Sequence, residues 1–164
     1  MWNYWLKKPE RQYMDKIDRH ILEVLQKEGR LSTAELAERI GLSPSPCARR
    51  LKRLEDESYI EGYQANISRV KAGIKMSFFV EVSLNNHQEA SIIAFENALS
   101  EMEEVINGHV VSGPYDYLLE VVSADLNGYE EFTRKLHKLT SVKDIHTHLS
   151  VRKVVNKTTL PIFT

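Results

Sequence analysis

Apolar residues recur at helical spacing in the first third of this chain, and past residue 75 strand-like runs alternate with helical ones. Ile17, Ile21, Val24 and Leu25 share one helical face and predict a first helix from about Asp15 to Glu28. Asp15 and Asp18 sit at the positive end of its dipole, and Gly29 ends it. A second helix starts in Leu31-Ser32-Thr33-Ala34-Glu35: Ser32 caps, Glu35 completes a capping box, and Leu31 with Leu36 forms a hydrophobic staple. Gly41 suits the left-handed position that closes it. A third helix follows at once, with Ser43 or Ser45 as cap and Pro44 or Pro46 in a first turn where a missing N–H costs nothing. Its buried stripe is Cys47, Leu51 and Leu54; Arg49, Lys52 and Arg53 fall opposite, Ser45 and Pro46 lie at its N-terminal end, and Arg50 is on the flank. Two short helices joined by a Gly-containing turn predict a helix-turn-helix. Tyr59 to Ile67 then reads as a two-stranded wing turning near Glu61-Gly62, and Ser68 to Gly73 as a linker with a helical turn.

The second half predicts a strand at Met76–Leu84 bounded by Asn85-Asn86, and an amphipathic helix from Glu89 to Met102. Strands at Val105–Ser112 and Tyr117–Val122 join through the tight turn Gly113-Pro114-Tyr115-Asp116. Asp125 caps a helix reaching about Leu139, with Tyr129, Phe132, Leu136 and Leu139 inward, and Val142–Val155 supplies a fourth strand. The order βαββαβ is that of a ferredoxin-like fold. The class is therefore α+β: a winged helix-turn-helix, then a ferredoxin-like domain.

Composition changes this picture little. The 164 residues are 42% hydrophobic and 27% charged, ordinary for a soluble protein with a real core. A net charge of −1 gives no global support to nucleic-acid binding, so that case rests on a local basic patch. The single Cys47 excludes an internal disulfide, and no Cys/His cluster has zinc spacing. No apolar run approaches bilayer length and no signal peptide is recognisable, which points to a reducing cytoplasm. Residues 1–13 fit no pattern: they read as a mobile tail before a start at Met14, or as a segment packing Trp2, Tyr4 and Trp5 on a partner subunit.

Two places carry chemistry. The third helix, packed behind and cationic in front, has the shape needed to enter a major groove, where Arg bonds guanine edges and cations neutralise phosphates. A solvated face is the usual meaning of a charge run, but its place on the second helix of a helix-turn-helix favours the groove. In the turn Ser112-Gly113-Pro114-Tyr115-Asp116, Gly and Pro set the chain reversal and Asp116 caps it. Equally, a carboxylate beside exposed backbone donors can hold the ammonium and carboxylate of a free amino acid. His146 and His148 share a strand face without an obvious third metal ligand, and neither a nucleophile elbow nor a phosphate loop is present, so no catalytic, metal or cofactor site is expected.

The segment IGLSPSPCARRLKRLEDESYI, the hairpin residues Gly113, Tyr115 and Asp116, and the closing Thr158-Thr159-Leu160-Pro161 resemble the Lrp/AsnC (feast/famine) transcription regulators across residues 15–162. The resemblance implies a DNA-binding domain over 14–63, a linker over 64–75, and an effector-binding and oligomerisation (RAM) domain over 76–164. It implies DNA contacts from Ser43, Ser45, Pro46, Arg49, Arg50, Lys52 and Arg53 on a near-palindromic operator. It also implies an amino-acid effector in clefts between subunits, lined by Ser112, Gly113, Pro114, Tyr115 and Asp116, with Thr147, His148 and Ser150 from a neighbour. The expected partners are duplex DNA, the effector, and further copies of the chain as a homodimer growing to a tetramer or octamer. His146 and His148 stand where other members often carry Ser or Thr, which leaves the effector's identity open. Two other readings are an amino-acid-sensing or enzyme-regulating subunit whose helical half binds protein, and a nucleoid-architectural protein with little sequence preference.

Overall fold

The computed structural model describes residues 13–163, which form two compact units. One takes the described residues up to Ala65 together with those from Val155 onward; the other is Asn66–Val154. The expectations for the first twelve residues lie outside the described ones.

Three helices build the first unit: α1 (Lys16–Lys27), α2 (Thr33–Ile40) and α3 (Pro44–Asp56). Each start has a local cause. Asp15 caps α1 by accepting the Ile17 and Asp18 N–H groups, and Asp18 reciprocates by accepting the Asp15 N–H at 3.0 Å. The predicted box on α2 is present: the Glu35 N–H donates to Ser32 Oγ at 3.3 Å, and the Ser32 N–H donates to Glu35 Oε2 at 2.7 Å. Gly41 ends α2 at φ 71°, a conformation that would strain any side chain. Ser43 takes the cap position of α3, but its hydroxyl makes no capping bond. Pro46 explains part of this, because the third residue of α3 has no N–H to offer. Ile21, Leu36, Ala37, Cys47 and Leu54 close the core, with Leu31, Leu51 and Ile60 packed around it.

The two strands predicted for the wing over Tyr59–Ile67 do not pair as a ladder. No strand lies between α3 and the first strand of the second unit among the described residues. Instead the Tyr59 and Ile60 N–H groups both bond Leu54 O, and the Tyr63 hydroxyl bonds Glu55. An isolated two-stranded ribbon is marginal in water, and this short segment finds no third strand to support it. The chain end also differs from expectation. Residues from Val155 group with the helical unit, where the Leu160 N–H and C=O bond the Gln26 side chain.

The second unit runs β1 (Met76–Leu84), α4 (Glu89–Ser100), β2 (Val105–Val110), β3 (Tyr117–Ser123), α5 (Leu126–His137) and β4 (Val142–Leu149). The sheet is antiparallel in the order β2-β3-β1-β4, as a ferredoxin-like fold requires. Phe78, Val80, Val82, Tyr117, Leu119 and Val121 face α4 and α5, meeting Phe95, Leu99, Phe132 and Leu136. Tyr129 stacks on Phe78 with ring centroids 3.7 Å apart. The opposite sheet face has no such layer, and Phe79 there is 40% exposed. β4 stops at Leu149 rather than Val155: Ser150 still bonds Ser77, but β1 begins at Met76 and offers nothing further to pair with.

Accepting the Asp18 N–H, with Arg50 close by, pulls the Asp15 carboxyl from its usual 3.8 to about 2. The folded chain therefore binds fewer protons than the unfolded one between those values, and this contribution is lost as pH falls through the window. Asp15→Ala should cost about 1 kcal/mol of stability at neutral pH, the usual loss of a helix cap. Urea denaturation should show that deficit shrinking between about pH 4 and pH 2; a deficit that ignores pH contradicts the assignment.

Candidate functional site

Residues three and four apart share a helix flank. On α3 that rule alone leaves the four basic residues on adjoining flanks, Arg49 being three from Lys52 and four from Arg53, and it is pairing with α1 that divides them. Arg49 and Lys52 are exposed, as are Ser43 and Ser45 near the N-terminal end, while Pro46 is half-buried. Arg50 and Arg53 lie on the flank toward α1, their side chains only 26% and 22% exposed. Arg53 therefore does not stand with Arg49 and Lys52 as its spacing from the apolar stripe had indicated.

Asp18 is the cause. Its side chain is 1% exposed and its carboxylate takes both guanidinium groups: Arg50 Nη1 donates to Oδ1 at 2.9 Å, and Arg53 Nη2 donates to Oδ2. Arg50 Nη1 also reaches Asp15 Oδ2 at 2.7 Å. Bonds to Asp15 and Asp18 push the Arg50 guanidinium further into its charged form. An unpaired carboxylate at this depth would cost several kcal/mol, so the two arginines are what make its burial tolerable. Asp15 and Asp18 are functional neighbours that sequence reasoning had credited only to the helix dipole. Their spacing of three, placing them side by side on α1, was the available signal.

The hairpin between β2 and β3 presents Ser112, Gly113 and Pro114 exposed at its tip, and Gly113 has φ 127°, a conformation open to glycine. The Ser112 and Gly113 N–H groups make no hydrogen bond among the described residues. Tyr115 is half-buried, its ring tilted against His146 with centroids 5.2 Å apart. Asp116 does not cap the turn. Its Oδ2 accepts the Leu84 N–H at 2.7 Å and its Oδ1 meets His87 Nε2 at 2.7 Å. The Leu84 N–H first, then His87, hold its carboxyl below the usual range. Nothing in the linear sequence ties His87 to residue 116; only the register Val82↔Tyr117 brings the two ends together.

The three residues of the last strand region divide between surroundings. Thr147 pairs with Val80, on the helix-covered face, and its hydroxyl bonds Tyr129. His148 pairs with Phe79 on the open face and lies 3.4 Å from Glu81. Successive strand residues face opposite ways, so Thr147 and His148 do not line one surface of this subunit. His146 shares the face of His148, and Ser150 is half-buried with its N–H on Ser77. No group of three or more His, Cys, Asp or Glu able to hold a metal ion occurs among the described residues.

Comparisons with known proteins match both halves of the chain. A family model described as "Winged helix-turn-helix DNA-binding" matches residues 14–61, and one described as "Lrp/AsnC ligand binding domain" matches residues 77–160. The leucine-responsive regulatory protein of Escherichia coli K12 is 38% identical over 152 residues, spanning 92% of this chain and 93% of that protein. Among solved structures, a transcriptional regulator from Neisseria meningitidis in complex with L-Met superposes with a TM-score of 0.87 at 34% identity, covering 91% of this chain and 97% of that one. An AsnC family transcriptional regulator from Agrobacterium tumefaciens gives 0.86 at 32% identity, covering 90% and 97%. The wing belongs to the class of the matched model, although no wing ladder closes within the described residues. With a family model on each half and relatives matching it almost end to end, this chain belongs to the Lrp/AsnC family of transcription regulators.

Proposed function

We propose that this regulator docks α3 in the major groove through Ser43, Ser45, Pro46, Arg49 and Lys52, and that an amino acid modulates its hold on the operator. The observation that carries the DNA side is the pair Arg49 and Lys52, both exposed on a helix whose reverse side is buried through Cys47 and Leu54. Arg suits guanine edges and Lys suits phosphates. The acidic run Glu55-Asp56-Glu57 at the far end of α3 repels a phosphate backbone, so the part of the helix before Glu55 is what enters. A homodimer, assembling further, would set two such helices on a near-palindromic site in the cytoplasm. No helix among the described residues is long and apolar enough to cross a membrane.

The effector side rests on the hairpin tip and on the L-Met bound by the Neisseria meningitidis relative. Ser112, Gly113 and Tyr115 offer donors, with a neighbouring subunit supplying His148 and Ser150. Thr147 is a weaker member of that set, since its hydroxyl is engaged by Tyr129. Asp116 acts by fixing the hairpin to the end of β1, because both of its oxygens are already engaged.

Arg49→Ala combined with Lys52→Ala should weaken retention of DNA from the gene's own promoter by about tenfold or more in a gel shift. The mass of the assembly should stay unchanged; undiminished retention overturns the assignment of α3. A thermal-shift screen of the twenty amino acids should find at least one that raises the melting temperature by mass action. Asp116→Ala should lower the starting stability by about 1–3 kcal/mol, the cost of leaving a buried donor unpaired, and should abolish that ligand-dependent rise. A rise of the same size in the variant clears the hairpin of the role.

A further inference from the structure

Four basic side chains lie on the DNA-recognition helix, yet only two of them are available. Asp18 holds Arg50 and Arg53 from the side of α1, and Asp15 takes a second bond from Arg50. Arg53 Nε is itself buried, with no partner among the described residues, and its Nη2 bonds Asp18. A carboxylate bonding two guanidinium groups holds one nitrogen of each and offsets part of their positive charge, which lowers what either can give a DNA phosphate.

We propose that Asp18 is a positioning residue for DNA recognition: it withholds Arg50 and Arg53 from phosphates and thereby limits sequence-independent binding. The inference rests on the reading of α3 as the DNA-contacting helix. Phosphate contacts add affinity that is indifferent to sequence, whereas base contacts discriminate. A helix with four free cations would hold any duplex strongly. Two free cations beside Ser45 leave a larger share of the binding energy to base edges.

Asp18→Asn tests this with the full-length chain. The Asn amide oxygen still accepts the Asp15 N–H, so the cap of α1 survives; Arg53 loses its carboxylate partner and can swing into solvent, while Arg50 keeps only its bond to Asp15. Salt titration of binding to a random-sequence duplex should then show a slope of log K against log salt steeper by about 0.9 for each released cation. Affinity for random duplex at low salt should rise about tenfold or more, and the ratio of operator to random affinity should fall by a similar factor. A merely structural role would weaken both and leave the slope flat or shallower. An unchanged slope in a variant with a native circular-dichroism melt overturns the proposal. Where the variant is too unstable to assay, phenylglyoxal labelling of the parent protein decides instead. Arg49 should label quickly and become protected by operator DNA, while Arg50 and Arg53 label slowly with or without DNA. Arg50 or Arg53 labelling quickly in the free protein and becoming protected on DNA overturns it. Failure of the parent to bind any duplex strikes the reading of α3, not the role of Asp18.

Discussion

A carboxylate almost without solvent exposure joins α1 to α3, and the helical unit is arranged around keeping it paired. Asp18 begins as a capping-box partner of Asp15 and ends as the acceptor for two arginines of α3. Removing one partner from a buried ion pair costs about 3–5 kcal/mol, because the remaining charge is stranded. That penalty acts as a constraint on geometry. Apolar contacts through Ile21, Cys47 and Leu54 set the distance between the helices but tolerate some rotation, since hydrophobic attraction has no direction. Charge-assisted bonds to Arg50 and Arg53 remove that freedom.

The ferredoxin-like unit uses a comparable device. Asp116 leaves the hairpin to bond the Leu84 N–H at the end of β1 and His87 beyond it. The turn is thereby fixed to the sheet while Ser112, Gly113 and Pro114 stay exposed. In both units one aspartate spans two elements and sets which neighbouring groups remain available. On the proposed function, the surfaces that would meet DNA and effector are defined by what has been taken out of use as much as by what is presented.

Local features were legible in the sequence. Ser32 with Glu35, Gly41 at the end of α2, Asp125 at the start of α5 and the span of β1 each follow from a few adjacent residues, and the structure places them as read. The buried stripe Cys47, Leu51 and Leu54 follows from helical periodicity. Features needing a partner remote in sequence were not legible. Arg53 looked outward by angle alone, and only the position of α1 turns it inward. Asp116 looked like a turn cap until the register put Leu84 beside it. The wing had the right composition but no third strand, and β4 had apolar residues past Leu149 but no remaining length of β1 to pair with. Thr147 and His148 were grouped because the family resemblance implies a polar last strand at the cleft, although the strand pleat sends them to opposite faces.

The most direct measurement is an experimental structure of this regulator on its operator duplex. The account predicts Arg49 and Lys52 within hydrogen-bond distance of bases or phosphates, while Arg50 and Arg53 keep their bonds to Asp18. A complex in which either of those two arginines has left Asp18 for a phosphate would contradict it.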